Sequence, residues 1–225
     1  MRKNVGTMCV AAFLLALVQM LAQARPDAAG SLPQGTAKKE TAAAFVFADV
    51  EYFHRFTTGN QREYTPAGQE DLDAWTDMVT IFVYPDVKDG DALVAHANAV
   101  VDQNKASKAV IVKLDSVPKT KDKPAEYLLV ASLAAPGVIE LAFSRFRMYE
   151  GLGTSVIYAH RIYGKNMGTV GDQMSAWLAK NGPGTEKNLM TWDAMPKSPS
   201  STSSDPKSAA FGVRRRSTCI SDGRL

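Results

Sequence analysis

Thiols, histidines and long apolar runs are all scarce in this chain, and each scarcity removes a class of function. Of 225 residues only two are cysteine, Cys9 and Cys219, and only three are histidine, His54, His96 and His160. No cysteine pair has zinc-ligand spacing and no histidine has a partner at H-x-x-x-H or H-E-x-x-H spacing, so no metal site and no cofactor is expected. No G-x-S-x-G elbow is present, which leaves a serine hydrolase without local support. Gly151-Leu152-Gly153 and the spaced Gly164, Gly168 and Gly171 do not match a phosphate-binding loop and read as turn glycines. The longest apolar run, Val10–Ala22, falls short of the ~20 residues that a membrane-crossing helix needs.

That run has another reading. Arg2 and Lys3 precede it and Ala22-Gln23-Ala24 follows, which is the layout of a secretory signal peptide over residues 1–24. The expected location is periplasmic or secreted. Removal of residues 1–24 leaves Cys219 as the one thiol, so no internal disulfide can form and an apolar core must hold the domain.

Charge is unevenly spread. The formal net charge is +3, yet the segment from Lys197 carries Lys197, Lys207, Arg214, Arg215, Arg216 and Arg224 against Asp205 and Asp222. The domain before it is acidic on balance, the opposite of what a nucleic-acid binder requires. Residues 25–43 lack an apolar period and read as a flexible lead-in. Residues 196–225 are rich in Ser, Pro and Lys and read as a disordered basic tail. Arg214, Arg215 and Arg216 offer the tail an unspecific contact with an anionic surface.

A single domain is expected over residues 44–195. The β-favouring stretch Val46–Phe56 predicts one strand, with Tyr64 starting a short return. Thr65-Pro66 resembles a capped helix start, and Leu72, Trp75 and Val79 have helical spacing, so a helix is predicted near Pro66–Trp75. Glu70, Asp71 and Asp73 then complement its dipole rather than bind a cation. Val79–Tyr84 is apolar on both sides, as a central strand is. Leu93, Ala97, Val100 and Val101 form one helical stripe, with His96 and Gln103 off it. Strands follow at Ala109–Leu114, Glu126–Ser132, Val138–Tyr149 and Thr154–Tyr163. A last helix, Thr169–Lys180, is expected to stop at Asn181-Gly182-Pro183.

In the hairpin from Val138 to Tyr163, a turn between Glu150 and Gly153 would set Phe143 opposite His160, Arg145 opposite Tyr158 and Arg147 opposite Val156. Both faces come out substantially apolar, which implies cover on both sides of the sheet. Arg145, Arg147, Tyr158 and His160 share one face. Two guanidinium forks, a phenol and an imidazole suit an anion, a carboxylate or a phosphate; a cross-strand Arg–Tyr stack is the plainer alternative.

The residues therefore predict an α+β protein: a mostly antiparallel sheet with two or three helices packed on it, an α-β-α sandwich. The strand Val79–Tyr84, the helix Leu93–Val101, the strand run Ala109–Tyr163 and the helix Val170–Leu178 resemble the PsbP-like and DcrB-like group of small exported proteins. That resemblance implies a non-enzymatic accessory or binding role and carries no functional residue with it. The expected function is an exported binding or accessory protein of a bacterial envelope, its ligand an anionic small molecule or envelope component. A hydrolase whose groups converge only in three dimensions, and an interaction protein working through its tail, are the alternatives.

Overall fold

The computed structural model describes residues 42–195, and residues 1–24, the lead-in up to Thr41 and the tail with Arg214, Arg215, Arg216 and Cys219 lie outside them. Eight strands and two helices follow in the order β1 (Phe45–Phe47), β2 (Val50–Thr58), β3 (Gln61–Pro66), β4 (Asp77–Tyr84), α1 (Gly90–Ala106), β5 (Val110–Val117), β6 (Glu126–Ala135), β7 (Val138–Tyr149), β8 (Leu152–Tyr163) and α2 (Met167–Thr191). The strands make one sheet in the order β1-β2-β3-β4-β8-β7-β6-β5, every neighbouring pair antiparallel. The chain steps from one edge to the middle, crosses to the far edge through α1, and steps back until β8 lies beside β4. The protein is an α+β fold dominated by its sheet. No helix among the described residues is long and apolar enough to cross a membrane.

Four local expectations need correction. The stretch Val46–Phe56 is two strands, because Ala48 and Asp49 both take positive φ and fold the chain back on itself. Pro66–Trp75 is not helical: Pro66 ends β3, and turns and irregular backbone follow. There, side chains capture the backbone groups a helix would use. The Gln69 side-chain oxygen accepts from the amides of Thr76 and Asp77 at 2.8 and 2.9 Å, and Glu70 accepts from the Gly68 amide at 3.0 Å.

The third correction concerns α2, which runs through Asn181-Gly182-Pro183 to Thr191. Proline inside a helix forfeits one hydrogen bond and costs about 3 kcal/mol. Burial of Leu189, with Met190 and Trp192 packed beside it, offsets that at roughly 1.5–3 kcal/mol per large side chain.

The fourth is the hairpin register. Phe143 lies opposite Tyr158, Arg145 opposite Val156 and Arg147 opposite Thr154. The turn is the two-residue pair Glu150-Gly151, with φ of 50° and 77°, the geometry that matches strand twist. The slip is two residues, so each side chain keeps its expected face.

Cover on both faces is observed. On one, α2 places Met174 and Leu189 against Val130, Phe143 and Tyr158. On the other, α1 places Leu93 and Ala97 against Leu129, Ala131 and Phe146. Asp89 starts α1 by accepting from the Ala92 amide at 2.8 Å. Beyond the reach of α1, Trp75 covers Met78 and Ala159 on the same face.

Candidate functional site

The structure puts Arg145, Arg147, Tyr158 and His160 on the α2 face but divides them between two sites. Arg145 is buried, and its donors are occupied. Nε donates to Glu126 at 2.7 Å, and Nη1 donates to the carbonyls of Leu189 and Trp192 at 2.9 and 2.8 Å. Those carbonyls belong to the end of α2, where helix carbonyls lack partners of their own. Burial pulls the guanidinium below its ordinary pKa, with Arg147 adding to the effect and Glu126 opposing it. Arg147 donates through Nη1 to Asp193 and lies 5.2 Å from the Tyr149 ring. Its Nε and Nη2 are buried without a partner among the described residues. The pair of arginines thus fastens the end of α2 to the sheet.

Tyr158 and His160 converge on Asp77, at the start of β4. The phenol donates to Oδ1 at 2.6 Å, His160 Nδ1 meets the same oxygen at 2.9 Å, and the Thr76 hydroxyl donates to Oδ2 at 3.0 Å. Trp177 of α2 stacks on the His160 ring, centroids 4.1 Å apart and planes 9° from parallel. Burial disfavours the Asp77 carboxylate, but hydrogen bonds from His160 and Tyr158 outweigh it and hold its pKa below the usual range. Burial and that carboxylate together push the Tyr158 phenol far up. An Asp–His pair can orient an imidazole for proton transfer. Among the described residues, His160 Nδ1 is bonded to Asp77 and no serine or threonine hydroxyl is hydrogen-bonded to the His160 ring. His54 bonds the Thr57 hydroxyl, at 2.7 Å.

The opposite face holds a cavity that the sequence reading did not anticipate. Its volume is about 120 Å³. The floor comes from β4, β8 and β7, with Met78, Phe82, Ala142, Phe146 and Ile157 among its side chains; α1 forms a wall with His96, Val100 and Gln103, and Trp75 closes one end. The space exists because α1 covers one part of this face and the Trp75 loop another, with a gap between them. Polar groups are few. Thr80, Ser144 and Glu140 reach it from the sheet. Glu140 is buried and bound to buried Arg161 at 2.8 Å, and the Arg161 guanidinium sits 3.9 Å over the Trp75 ring.

His96 is the distinctive group. Its Nε2 is buried with no hydrogen-bond partner among the described residues. Burial lowers its pKa and favours the neutral ring. Tyr84 packs against it at 3.9 Å between centroids. The Tyr84 hydroxyl bonds Ser155 Oγ at 2.8 Å, and burial pushes its pKa up to about 12. A wider, open groove of about 580 Å³ lies between β5 and the second half of α2, where Lys113 bonds Glu186 at 2.6 Å.

The one sequence signal for the cavity was indirect: an apolar hairpin face interrupted by Glu140 and Ser144. His96 lies off the apolar stripe of α1 and has no metal-ligand spacing to another histidine. No group of three or more His, Cys, Asp or Glu among the described residues is placed to hold a metal ion.

No curated protein matches the chain. Among solved structures, a point mutant of the protein Mog1 aligns with a TM-score of 0.39 at 10% identity, over 62% of this chain and 83% of that one. The Saccharomyces cerevisiae Ran-binding protein Mog1p gives a TM-score of 0.38 at 11% identity, over 62% and 82%. Human STARD10 gives 0.26 at 9% identity, over 63% and 74%. At these scores the likenesses carry no functional argument. A protein-family model matches residues 43–182, and the chain belongs to that family.

Proposed function

We propose that this protein is an exported, non-catalytic binding protein that holds a small, mainly apolar molecule between its sheet and α1, in the three-layer α-β-α arrangement of PsbP-like and DcrB-like envelope proteins. The observation that carries the binding reading is the cavity of about 120 Å³ walled by apolar side chains with a few polar groups converging on it. That mixture is the usual make-up of a small-molecule site. The anion reading of Arg145 is weakened because its donors hold Glu126 and the end of α2.

The test is an NMR titration of the full chain with benzene as a shape probe. Shifts should concentrate on Ala142, Ile157 and Val100 and saturate. Ala142→Leu fills the floor and should abolish them while leaving the fold intact. Scattered or absent shifts in the parent chain would reject the cavity as a binding site. Export is tested separately, by mass spectrometry of material from the native host: an N-terminus near Arg25 supports it, and an intact Met1 in the cytosolic fraction refutes it.

A further inference from the structure

We infer that this protein pairs with a second copy of itself through β5, the two strands antiparallel and the two sheets joined edge to edge. The inference goes beyond the cavity reading and does not depend on it. β5 closes one side of the sheet, and among the described residues no strand lies on its outer side. Such an edge presents a row of unpaired amides and carbonyls, a template for another strand. The edge is also apolar. Val110, Leu114 and Val117 are 65%, 54% and 48% exposed, and Val112 is exposed with them. A strand that met only water would carry polar groups at such positions.

The residues of β5 fit a copy of themselves. Against β6 the register skips Val112, a bulge. Lys113 and Asp115 therefore lie opposite Val130 and Leu128 on the α2 face, with Val110 and Val117 on the same side. Ile111 and Leu114 lie opposite Ala131 and Leu129 on the α1 face. A two-fold axis perpendicular to the sheet keeps like faces together, so residues opposed across the seam must share a face. Centred on Leu114, the seam sets Leu114 opposite Leu114 of the copy and Lys113 opposite Asp115 of the copy, twice. Beyond the bulge it sets Ile111 opposite Ser116 and Val110 opposite Val117. Every opposed pair then shares a face: ion pairs and valine pairs on the α2 side, the leucine pair on the α1 side. Moving the centre one residue either way sets lysine against lysine or aspartate against aspartate, which destabilises a strand pair. Within one chain Lys113 Nζ lies 3.2 Å from Asp115 Oδ2, so the joined seam carries four charges of alternating sign. A lysine on an edge deters a foreign strand; a copy of this chain answers it with a carboxylate.

The experiment measures mass by light scattering after gel filtration over a range of protein concentrations. The parent chain should run as a dimer at micromolar concentration. Leu114→Lys opposes two lysines at the axis and should leave a monomer; Leu114 is exposed in a single copy, so the urea midpoint of that monomer should barely move. Asp115→Lys sets lysine against Lys113 at both ends of the seam, and Lys113→Asp sets aspartate against Asp115. Each variant alone should dimerise about tenfold more weakly. Mixed together they restore both ion pairs and should form a heterodimer of parental affinity. Register is read by disulfide trapping with Cys9 and Cys219 replaced by serine. Opposed Cα atoms in an antiparallel pair lie about 4.5–5.5 Å apart, within reach of a disulfide. Leu114→Cys should therefore cross-link to itself under mild oxidation, whereas Val110→Cys and Val117→Cys should link only when mixed. A parent chain that stays monomeric overturns the inference, as does a dimer that Leu114→Lys leaves intact. A dimer that Leu114→Cys does not trap, or charge variants that do not rescue each other, overturns the β5 register and the inference with it.

Discussion

Replacing Arg145 by Met should destabilise the protein by about 3 kcal/mol, the usual cost of removing one partner from a buried ion pair. The side chain of Arg145 is 4% exposed and that of Glu126 20%. The substitution removes bonds of 2.7, 2.9 and 2.8 Å to Glu126, the Leu189 carbonyl and the Trp192 carbonyl. Methionine matches the stem in bulk, so little cavity forms and the loss is chiefly electrostatic. Each orphaned buried acceptor would add about 1–3 kcal/mol if it stayed buried. The last turn of α2 can fray and let its carbonyls reach water, which caps the sum near the single ion-pair figure. For a domain of about 150 residues this corresponds to a melting point lower by about 6–12 °C. Urea unfolding is the assay, with the midpoint falling and the slope unchanged. Arg145→Lys keeps the charge but cannot reach three acceptors at once, so it should lie between the two. A loss under about 1 kcal/mol for Arg145→Met, or a lysine variant as stable as the parent, would refute the assignment of Arg145 to fastening α2 and reopen it as a free anion-binding fork.

Three further outcomes are expected. Asp77 has a folded pKa below its ordinary value, so its stabilisation is complete above about pH 4 and is lost as pH falls through the folded value; urea midpoints between pH 2 and 6 should show that loss and Asp77→Asn should flatten it. Gly153→Ala would set a Cβ 2.4 Å from Val87 Cγ1, an overpacking cost of about 1–3 kcal/mol that Val87→Ala should relieve in a double-mutant cycle of thermal melts; additive losses would show that Val87 is not the obstacle. Glu150→Asn should stabilise the β7–β8 turn by about 0.5–1 kcal/mol, since Glu150 holds φ of 50° and asparagine tolerates that region better; a lower denaturation midpoint would contradict this.

Where one local signal determined the outcome, the residues were readable. Val79–Tyr84, apolar on both sides, lies in β4 at the interior of the sheet. Pro136-Gly137 separates β6 from β7, and the stripe Leu93–Val101 lies within α1. The hairpin faces survived an incorrect register because a two-residue slip preserves side-chain direction. Prediction failed where distant contacts decide. Pro183 is a strong stop by itself, and only the burial of Leu189 and the arginine at the end of α2 keep the helix going. Gly153 resembles a turn glycine beside Gly151, yet it is held by close approach to Val87, whose carbonyl accepts from its amide at 2.6 Å. Arg145 and Arg147 share a face with Tyr158 and His160 as expected, but their carboxylate partners, Glu126, Asp193 and Asp77, come from three other parts of the chain.

The two faces of the sheet divide the work between them. On the α2 face, arginines hold the helix end, and Asp77 gathers a phenol, an imidazole and a hydroxyl. The arginine bonds fix the end of α2 and the Asp77 bonds tie β4 to β8, so that face contributes rigidity. On the α1 face, the helix and the Trp75 loop cover separate parts of the floor and leave a space between them. A closed core would gain by filling that space, since each missing methylene forfeits about 0.8 kcal/mol of burial. Retaining it costs stability and favours a molecule that supplies the absent contacts. Substitutions on the α2 face should therefore change the melting point and leave affinity for a cavity ligand nearly constant. Ala142→Leu, which fills the space, should raise the melting point and abolish that affinity together, and that opposition separates a binding cavity from a mere packing defect.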